Sequence, residues 1–143
     1  PALAFSIPDL KGKADFISIG TNDLMQYFFA ADRGNARVSD RYDILSPPAL
    51  RLLKRVRENA DAAGIQVSIC GEAAGRPLEA LAFVALGYRR LSMPASGIGP
   101  VKRLLLSADS SVAAAVLQPM LSSGVSSIRG ELTSIAAEQG WAL

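Results

Sequence analysis

An apolar run that ends abruptly in glycine and three polar residues, Phe16-Ile-Ser-Ile-Gly-Thr-Asn-Asp-Leu24, constrains this chain more than any other stretch. Ile17 and Ile19 are β-branched and, with Phe16, predict a short buried strand over Asp15–Gly20. Thr21, Asn22 and Asp23 fall where a strand stops and a helix starts, and Asn22 or Asp23 can cap a helix running to Ala31. Two comparable edges follow, at Cys70-Gly71-Glu72 and at Ser92-Met93-Pro94. Ligands of α/β proteins sit at the carboxyl ends of strands, so the expectation is three βα units presenting one shared site.

The rest of the chain supports that alternation. Pro1–Lys13 predicts a short helix, interrupted by Pro8, and then a loop. Asp32-Arg-Gly-Asn35 breaks the first long helix, with Gly34 and Asn35 suited to left-handed backbone. About a dozen residues without periodicity then reach Ser46, a connection long enough to suspect of function. Ser46-Pro47 predicts the N-cap and first position of the second helix, and Gly64 its stop. Within it Leu50, Leu53, Val56 and Ala60 form an inward stripe, while Arg51, Lys54, Arg55 and Arg57 are expected to stay largely in solvent. Strand two is Ile65–Cys70, the third helix runs from Arg76-Pro77 through Leu86 to Gly87, and strand three is Arg89–Met93. After Gly97-Ile-Gly-Pro100 the alternation ends. Val101–Ser107, Ser110–Ser122 and Ser127–Gln139 read as helices, with Asp109 capping the middle one, Pro119 kinking or breaking it and Gly140 closing the last. Residues 1–107 are thus βα units and 108–143 a helical tail, which carries no cluster of reactive groups and reads as a packing or assembly element.

Composition excludes several functions. The 143 residues are 50% hydrophobic and 20% charged, which suits one globular domain with its own core. Fifteen basic against thirteen acidic residues give a net charge of +2, and no basic run is interleaved with aromatics, so nucleic acid is not an expected partner. No stretch is long and apolar enough to span a bilayer, and the first ten residues lack the charged start and apolar core expected of a signal peptide. A single cysteine excludes an internal disulfide and favours a reducing, cytoplasmic setting. Histidine is absent, so any base, phospho-acceptor or zinc ligand of that type must come from elsewhere. The chain opens on Pro1 without an initiator methionine, and a piece of a longer polypeptide is expected. Three parallel strands cannot close a barrel. Either the sheet is small and open, or it belongs to a barrel of eight βα units whose exposed edges need another copy or the remaining chain to cover them.

Each candidate residue has a functional and a plain reading. Asn22 and Asp23 offer an amide, a carboxylate and helix N-terminal N–H groups to a small anion and its metal, or they merely cap a helix. Arg33 grips a phosphate or carboxylate through two N–H groups, or it is a surface arginine at a helix end. The Cys70 thiol lies at the rim of the sheet, reactive or simply buried. Glu72 and Arg76 are supporting partners.

Ser18-Ile-Gly-Thr-Asn-Asp-Leu24, Asp32-Arg-Gly-Asn35, Leu45-Ser-Pro47, Cys70-Gly-Glu72 with Gly75-Arg-Pro77, and Leu91-Ser-Met93 occur in the order and spacing of the phosphoenolpyruvate-utilising enzymes. The chain resembles that family strongly over residues 1–107 and more loosely in the tail. The Asp-Arg-Gly-Asn element resembles enzyme I of the bacterial phosphotransferase system, especially its nitrogen-related form, more than pyruvate phosphate dikinase or phosphoenolpyruvate synthase. The resemblance implies a partial (β/α)8 TIM barrel, about the last three βα units. It implies that Asp23 is a Mg2+ ligand, that Asn22 and Asp23 contact phosphoenolpyruvate, that Arg33 holds its phosphoryl group, and that Cys70 protonates the enolate carbon to yield pyruvate. It further implies a homodimeric enzyme that passes the phosphoryl group to a histidine of its own and on to a phosphocarrier protein. The second magnesium carboxylate, the other substrate arginines and that histidine are then outside this chain, which alone is expected to be inactive. A fragment of pyruvate phosphate dikinase or phosphoenolpyruvate synthase, and a non-catalytic dimerisation or regulatory module that keeps the motifs, are the other readings left open.

Overall fold

The computed structural model describes residues 1–38 and 42–143; residues 39–41, inside the predicted loop between the first two long helices, lie outside the described residues. The chain begins with a helical turn, α1 (Leu3–Ser6), and a 3-10 turn, Ile7–Leu10. There follow β1 (Phe16–Gly20), α2 (Thr21–Phe29), α3 (Pro47–Ala63), β2 (Gln66–Cys70), a 3-10 turn at Glu72–Gly75, α4 (Pro77–Ala85) and β3 (Leu91–Ser92). Three helices close the chain: α5 (Ala95–Ser107), α6 (Ser110–Met120) and α7 (Arg129–Glu138). The strands form one open parallel sheet in the order β1-β2-β3, so the expected α/β alternation holds.

Side chains alternate across a strand, and the parallel register turns that alternation into two unlike faces. Ile17 and Ile19 lie beside Val67 and Ile69, and Ile69 beside Leu91. This apolar face joins Leu50, Leu53, Val56 and Ala60 of α3 in the main core. The other face carries Phe16, Ser18 and Gly20 beside Gln66, Ser68 and Cys70, with Ser92 beyond. Phe16 there is 68% exposed. Parallel sheets are ordinarily covered on both faces; this one has a wet side.

Several local expectations change. α2 starts at Thr21, so Asn22 and Asp23 lie inside its first turn and Gly20 occupies the cap position without a side-chain hydrogen bond. The helix stops at Phe29, where Ala30 takes the left-handed conformation (φ 50°) expected of Gly34 or Asn35. Asp32 and Asn35 instead fold the loop on themselves: Asp32 Oδ1 accepts from the Gly34 N–H (2.8 Å) and Asn35 Oδ1 from the Arg37 N–H (3.0 Å). Ser46 sits at the cap position of α3, yet its buried Oγ has no partner among the described residues. Pro47 and Pro48 fill the first two helical positions, which removes one of the N–H groups a cap would accept from.

The basic row of α3 is not simply solvated. Arg51 donates to the Leu121 carbonyl, Lys54 Nζ to Gln118 Oε1 (2.7 Å) and Arg57 Nε to the Gly87 carbonyl (3.0 Å), while Arg55 is exposed as expected. These bonds hold the tail and the end of α4 against α3. α5 begins at Ala95, six residues before the expected Val101, and runs through Gly97-Ile-Gly-Pro100. Gly97 is there for packing: a Cβ would lie 2.7 Å from the Gly75 Cα. α6 is capped by Asp109, which accepts from the Ser111 and Val112 N–H groups, and it ends at Met120, one residue past Pro119. In the tail, α6 packs on α4 and α7 on both, around a second apolar cluster of Leu81, Leu104, Ala113, Ala136 and Trp141.

Two helical glycines separate packing from propensity. Gly97→Ala is expected to cost about 1–3 kcal/mol through overpacking against Gly75. Gly99→Ala, with open space where the Cβ would go, is expected to gain about 0.5–1 kcal/mol; urea unfolding of the two variants checks the opposite signs.

Candidate functional site

The site is built where β1 and β2 end together, with Gly20 paired to Cys70. Beyond the last ladder bond, the buried Thr21 hydroxyl donates to the Cys70 carbonyl (3.2 Å) and the Cys70 thiol donates to the Ile19 carbonyl (3.3 Å). Gly71 closes the joint with φ 117°, and a Cβ there would lie 2.8 Å from Thr21 Oγ1. The residues after each strand are thereby brought side by side.

Between them opens a cleft of about 350 Å³. Met25, Ile44 and Ala73 supply apolar lining, and Asn22, Arg33, Asp43, Glu72 and Arg76 the polar groups. Tyr42, also on its wall, stacks on Phe29 of α2 with ring centroids 5.2 Å apart. Arg33 is 52% exposed and its Nη2 lies 3.8 Å from Oδ1 of Asp23, itself 72% exposed; so long and wet a pair binds Arg33 weakly. Arg76 is 61% exposed, with Nη1 3.9 Å from Glu79 Oε1. Two loosely held guanidinium groups on one cleft are what a small polyanion requires.

Asp43 is held firmly. Its Oδ1 accepts from the Leu45 N–H (3.0 Å) and Arg129 Nη2 (3.0 Å), and its Oδ2 from Ser127 Oγ (2.7 Å) and Arg129 Nε (3.2 Å). Burial pushes this carboxyl up, but the hydrogen bonds from Arg129, Leu45 and Ser127, with the Arg129 charge, outweigh it and hold it below the ordinary value.

The expected site residues are placed as follows. Asn22 and Arg33 line the cleft. Asp23 adjoins Arg33 but lines a neighbouring groove, with Leu3, Ile17 and Tyr27, rather than the cleft. Cys70 belongs to the open sheet face and is not among the described residues that line the cleft. The end of β3 does not line it either; Met93 and Pro94 pack against Gly75 in the turn after β2. The cleft therefore belongs to two strand ends rather than three. Among the described residues no three acidic or cysteine side chains converge as a metal cage, and no helix is long and apolar enough to cross a membrane.

Residues 1–110 match the family described as PEP-utilising enzyme, PEP-binding domain. The chain belongs to this family. It is 44% identical over 109 residues to the phosphoenolpyruvate-dependent phosphotransferase system protein of Salmonella typhimurium, which covers 76% of this chain and 15% of that protein. It is 46% identical over 105 residues to the phosphoenolpyruvate-protein phosphotransferase of Borreliella burgdorferi, covering 73% and 18%. The protein of the same name from Geobacillus stearothermophilus is 40% identical over 124 residues, covering 87% and 22%. The chain thus spans between 15% and 22% of the lengths of these relatives.

In this PEP-binding domain the sequence motifs lead to Asn22 and Arg33 but not to Asp43, Glu79 or Arg129. Asp43 stands beside the noticed Leu45-Ser-Pro47, without a periodic or motif signal of its own. Glu79 leaves a trace as the one acid in the apolar helix Pro77–Ala85, where it is only 2% exposed. Arg129 lies 86 residues from Asp43, beyond the reach of any local pattern.

The depressed Asp43 carboxyl has a sign that can be checked. Its ionised form is favoured by folding, so its contribution is full above the unfolded value and lost as pH falls through the lower folded value. Asp43→Asn is expected to cost about 1–3 kcal/mol at pH 7, a difference from wild type that shrinks below about pH 4 and closes once the carboxyl is protonated. Urea unfolding across pH measures it.

Proposed function

We propose that residues 1–107 supply about the last three βα units of a phosphoenolpyruvate-binding (β/α)8 barrel and that residues 108–143 are its helical tail. The complete enzyme would be a cytoplasmic homodimer that moves the phosphoryl group of phosphoenolpyruvate to a histidine outside this chain. From there the group passes to a phosphocarrier protein, and pyruvate is released. The observation that carries this reading is the cleft at the joint carboxyl ends of β1 and β2, with Asn22, Arg33 and Arg76 on its walls. Family membership and the printed names of the phosphotransferase relatives support it. So does the open sheet face, which a closed barrel turns into its interior.

On this reading Arg33 takes the phosphoryl oxygens and neutralises charge that builds as the P–O bond to the enol oxygen breaks. Asn22 orients the substrate through its amide. The donor set suits Mg2+ in part: the ion accepts one or two carboxylates and fills its remaining positions with substrate oxygens and water. Asp23 would be one such carboxylate, and the bound ion would supply further charge neutralisation. The electron pair left on the enolate is quenched when its methylene carbon takes a proton, giving pyruvate. Cys70, the last residue of β2, is the donor on this reading, and its thiolate is later reprotonated from solvent. Separation of Cys70 from the cleft in this open sheet follows from its lying on the other face of the sheet from the core-packing residues.

Two outcomes are expected. This chain mixed with phosphoenolpyruvate, Mg2+ and an intact histidine-bearing domain yields no phosphorylated protein by mass spectrometry, and appreciable turnover refutes the division of the site. Cys70→Ala in the complete enzyme lowers pyruvate formation by about 10²-fold or more while the thermal midpoint stays near wild type; unchanged turnover removes Cys70 from the mechanism.

A further inference from the structure

We propose that the segment Ser127–Arg129, which lies beyond the family match ending at residue 110, is a positioning element of the cleft. Arg129 fixes the wall at Asp43 and engages two carboxylates, Asp43 and Glu79, that otherwise compete with the incoming anion for the cleft arginines. The proposal rests on the phosphoenolpyruvate reading only for the identity of that anion.

The contacts form a continuous chain from the tail to the cleft. Arg129 grips Asp43 with two nitrogens, Nη2 to Oδ1 at 3.0 Å and Nε to Oδ2 at 3.2 Å. The same Nη2 reaches Glu79 Oε1 at 2.8 Å. Ser127 Oγ donates to Asp43 Oδ2 and accepts from the Arg129 N–H, which aligns the fork. The backbone joins in, the Ile128 N–H donating to the Leu45 carbonyl at 2.9 Å while Ile128 is fully buried in the main core. Asp43 in turn lines the cleft beside Tyr42 and Ile44.

Charge explains why the brace matters to a ligand. Glu79 is 2% exposed, and a buried carboxylate deprived of its counter-ion recruits another or becomes very costly. Arg76 is the candidate: it lines the cleft, stands at the N-cap of α4 three residues before Glu79, and already has Nη1 3.9 Å away. Without Arg129, Arg76 turns from the cleft onto Glu79, and Asp43 stands as an uncompensated negative charge on the wall that faces Arg33. Both changes weaken anion binding without touching the anion. Arg129 is thus a positioning residue, and side-chain geometry of this kind is worth one or two orders of magnitude in a site.

The test uses the complete enzyme with Arg129→Gln, Arg129→Lys and the double variant Arg129→Gln/Glu79→Gln, assayed well below their melting temperatures. Arg129→Gln is expected to raise KM for phosphoenolpyruvate roughly tenfold or more, with a smaller change in kcat. The double variant recovers part of that loss, because the carboxylate that captures Arg76 is gone. Arg129→Lys, which keeps the charge but not the fork, falls between and serves if Arg129→Gln does not fold. A lowered melting point with KM unchanged in the folded variants overturns the proposal, as does a double variant no better than the single one. Hydrogen exchange at the Leu45 and Ile128 amides gives a readout independent of substrate. Faster exchange in Arg129→Gln, in an enzyme whose wild type ignores phosphoenolpyruvate, sinks the functional reading and keeps the brace, whereas unchanged exchange sinks the brace.

Discussion

The in-register parallel pairing of β1 with β2 is the constraint on which the rest of the molecule depends. Parallel strands put both carboxyl ends at one edge, and they can be joined only by a crossover long enough to return the chain to the opposite edge. Here the crossover contains α2 and α3, and α3 buries Leu50, Leu53, Val56 and Ala60 against the apolar sheet face. Arg33, Tyr42 and Asp43, from the connection between α2 and α3, line the cleft at that edge. The pairing extends past its last backbone bond through Thr21, Cys70 and Gly71, so the cleft opens from a closed joint rather than from two independent loops.

A parallel sheet covered on one side is an unusual object for water to meet. Its apolar face is sealed by helices, while its other face carries small and polar groups around the exposed Phe16. That face has the composition of a barrel lining rather than of a solvent surface designed to stand alone. Cys70 belongs to it, at the same edge as the cleft. The split arises because the cleft is lined by residues that follow the strands, such as Glu72, Ala73 and Arg76, whereas Cys70 is the last residue of β2 itself.

Two kinds of ion pair divide the work of the site. The pairs that involve Arg33 and Arg76 are long and exposed, contribute little to stability and leave the cations available. The set formed by Arg129 with Asp43 and Glu79 is short, partly buried and completed by Ser127 and backbone groups, so it behaves as structure. The firm set braces the cleft wall at Asp43, while Arg33 and Arg76 stay loosely held on that cleft. The basic row of α3 follows the same division: Arg51, Lys54 and Arg57 bind carbonyl and amide oxygens of later segments, which joins the tail to the body.

What the sequence alone determined were features written in periodicity and backbone chemistry. The strand ending at Gly20, the apolar stripe of α3, the Asp109 cap and the motifs around Asn22, Arg33 and Cys70 are all local, and steric or hydrogen-bonding preference suffices to read them. Local rules failed where a distant neighbour changed the balance. Gly97-Ile-Gly-Pro100 reads as a break, yet close approach to Gly75 makes glycine the residue a helix needs there. Ala30 accepts a left-handed turn although Gly34 and Asn35 stood ready, since the turn must come where α2 runs out of helix. Only the tertiary structure decided that Asp43, Glu79 and Arg129 meet, and that the cleft draws on two strand ends instead of three. Their attraction depends on separation in space, and no spacing along the chain encodes it.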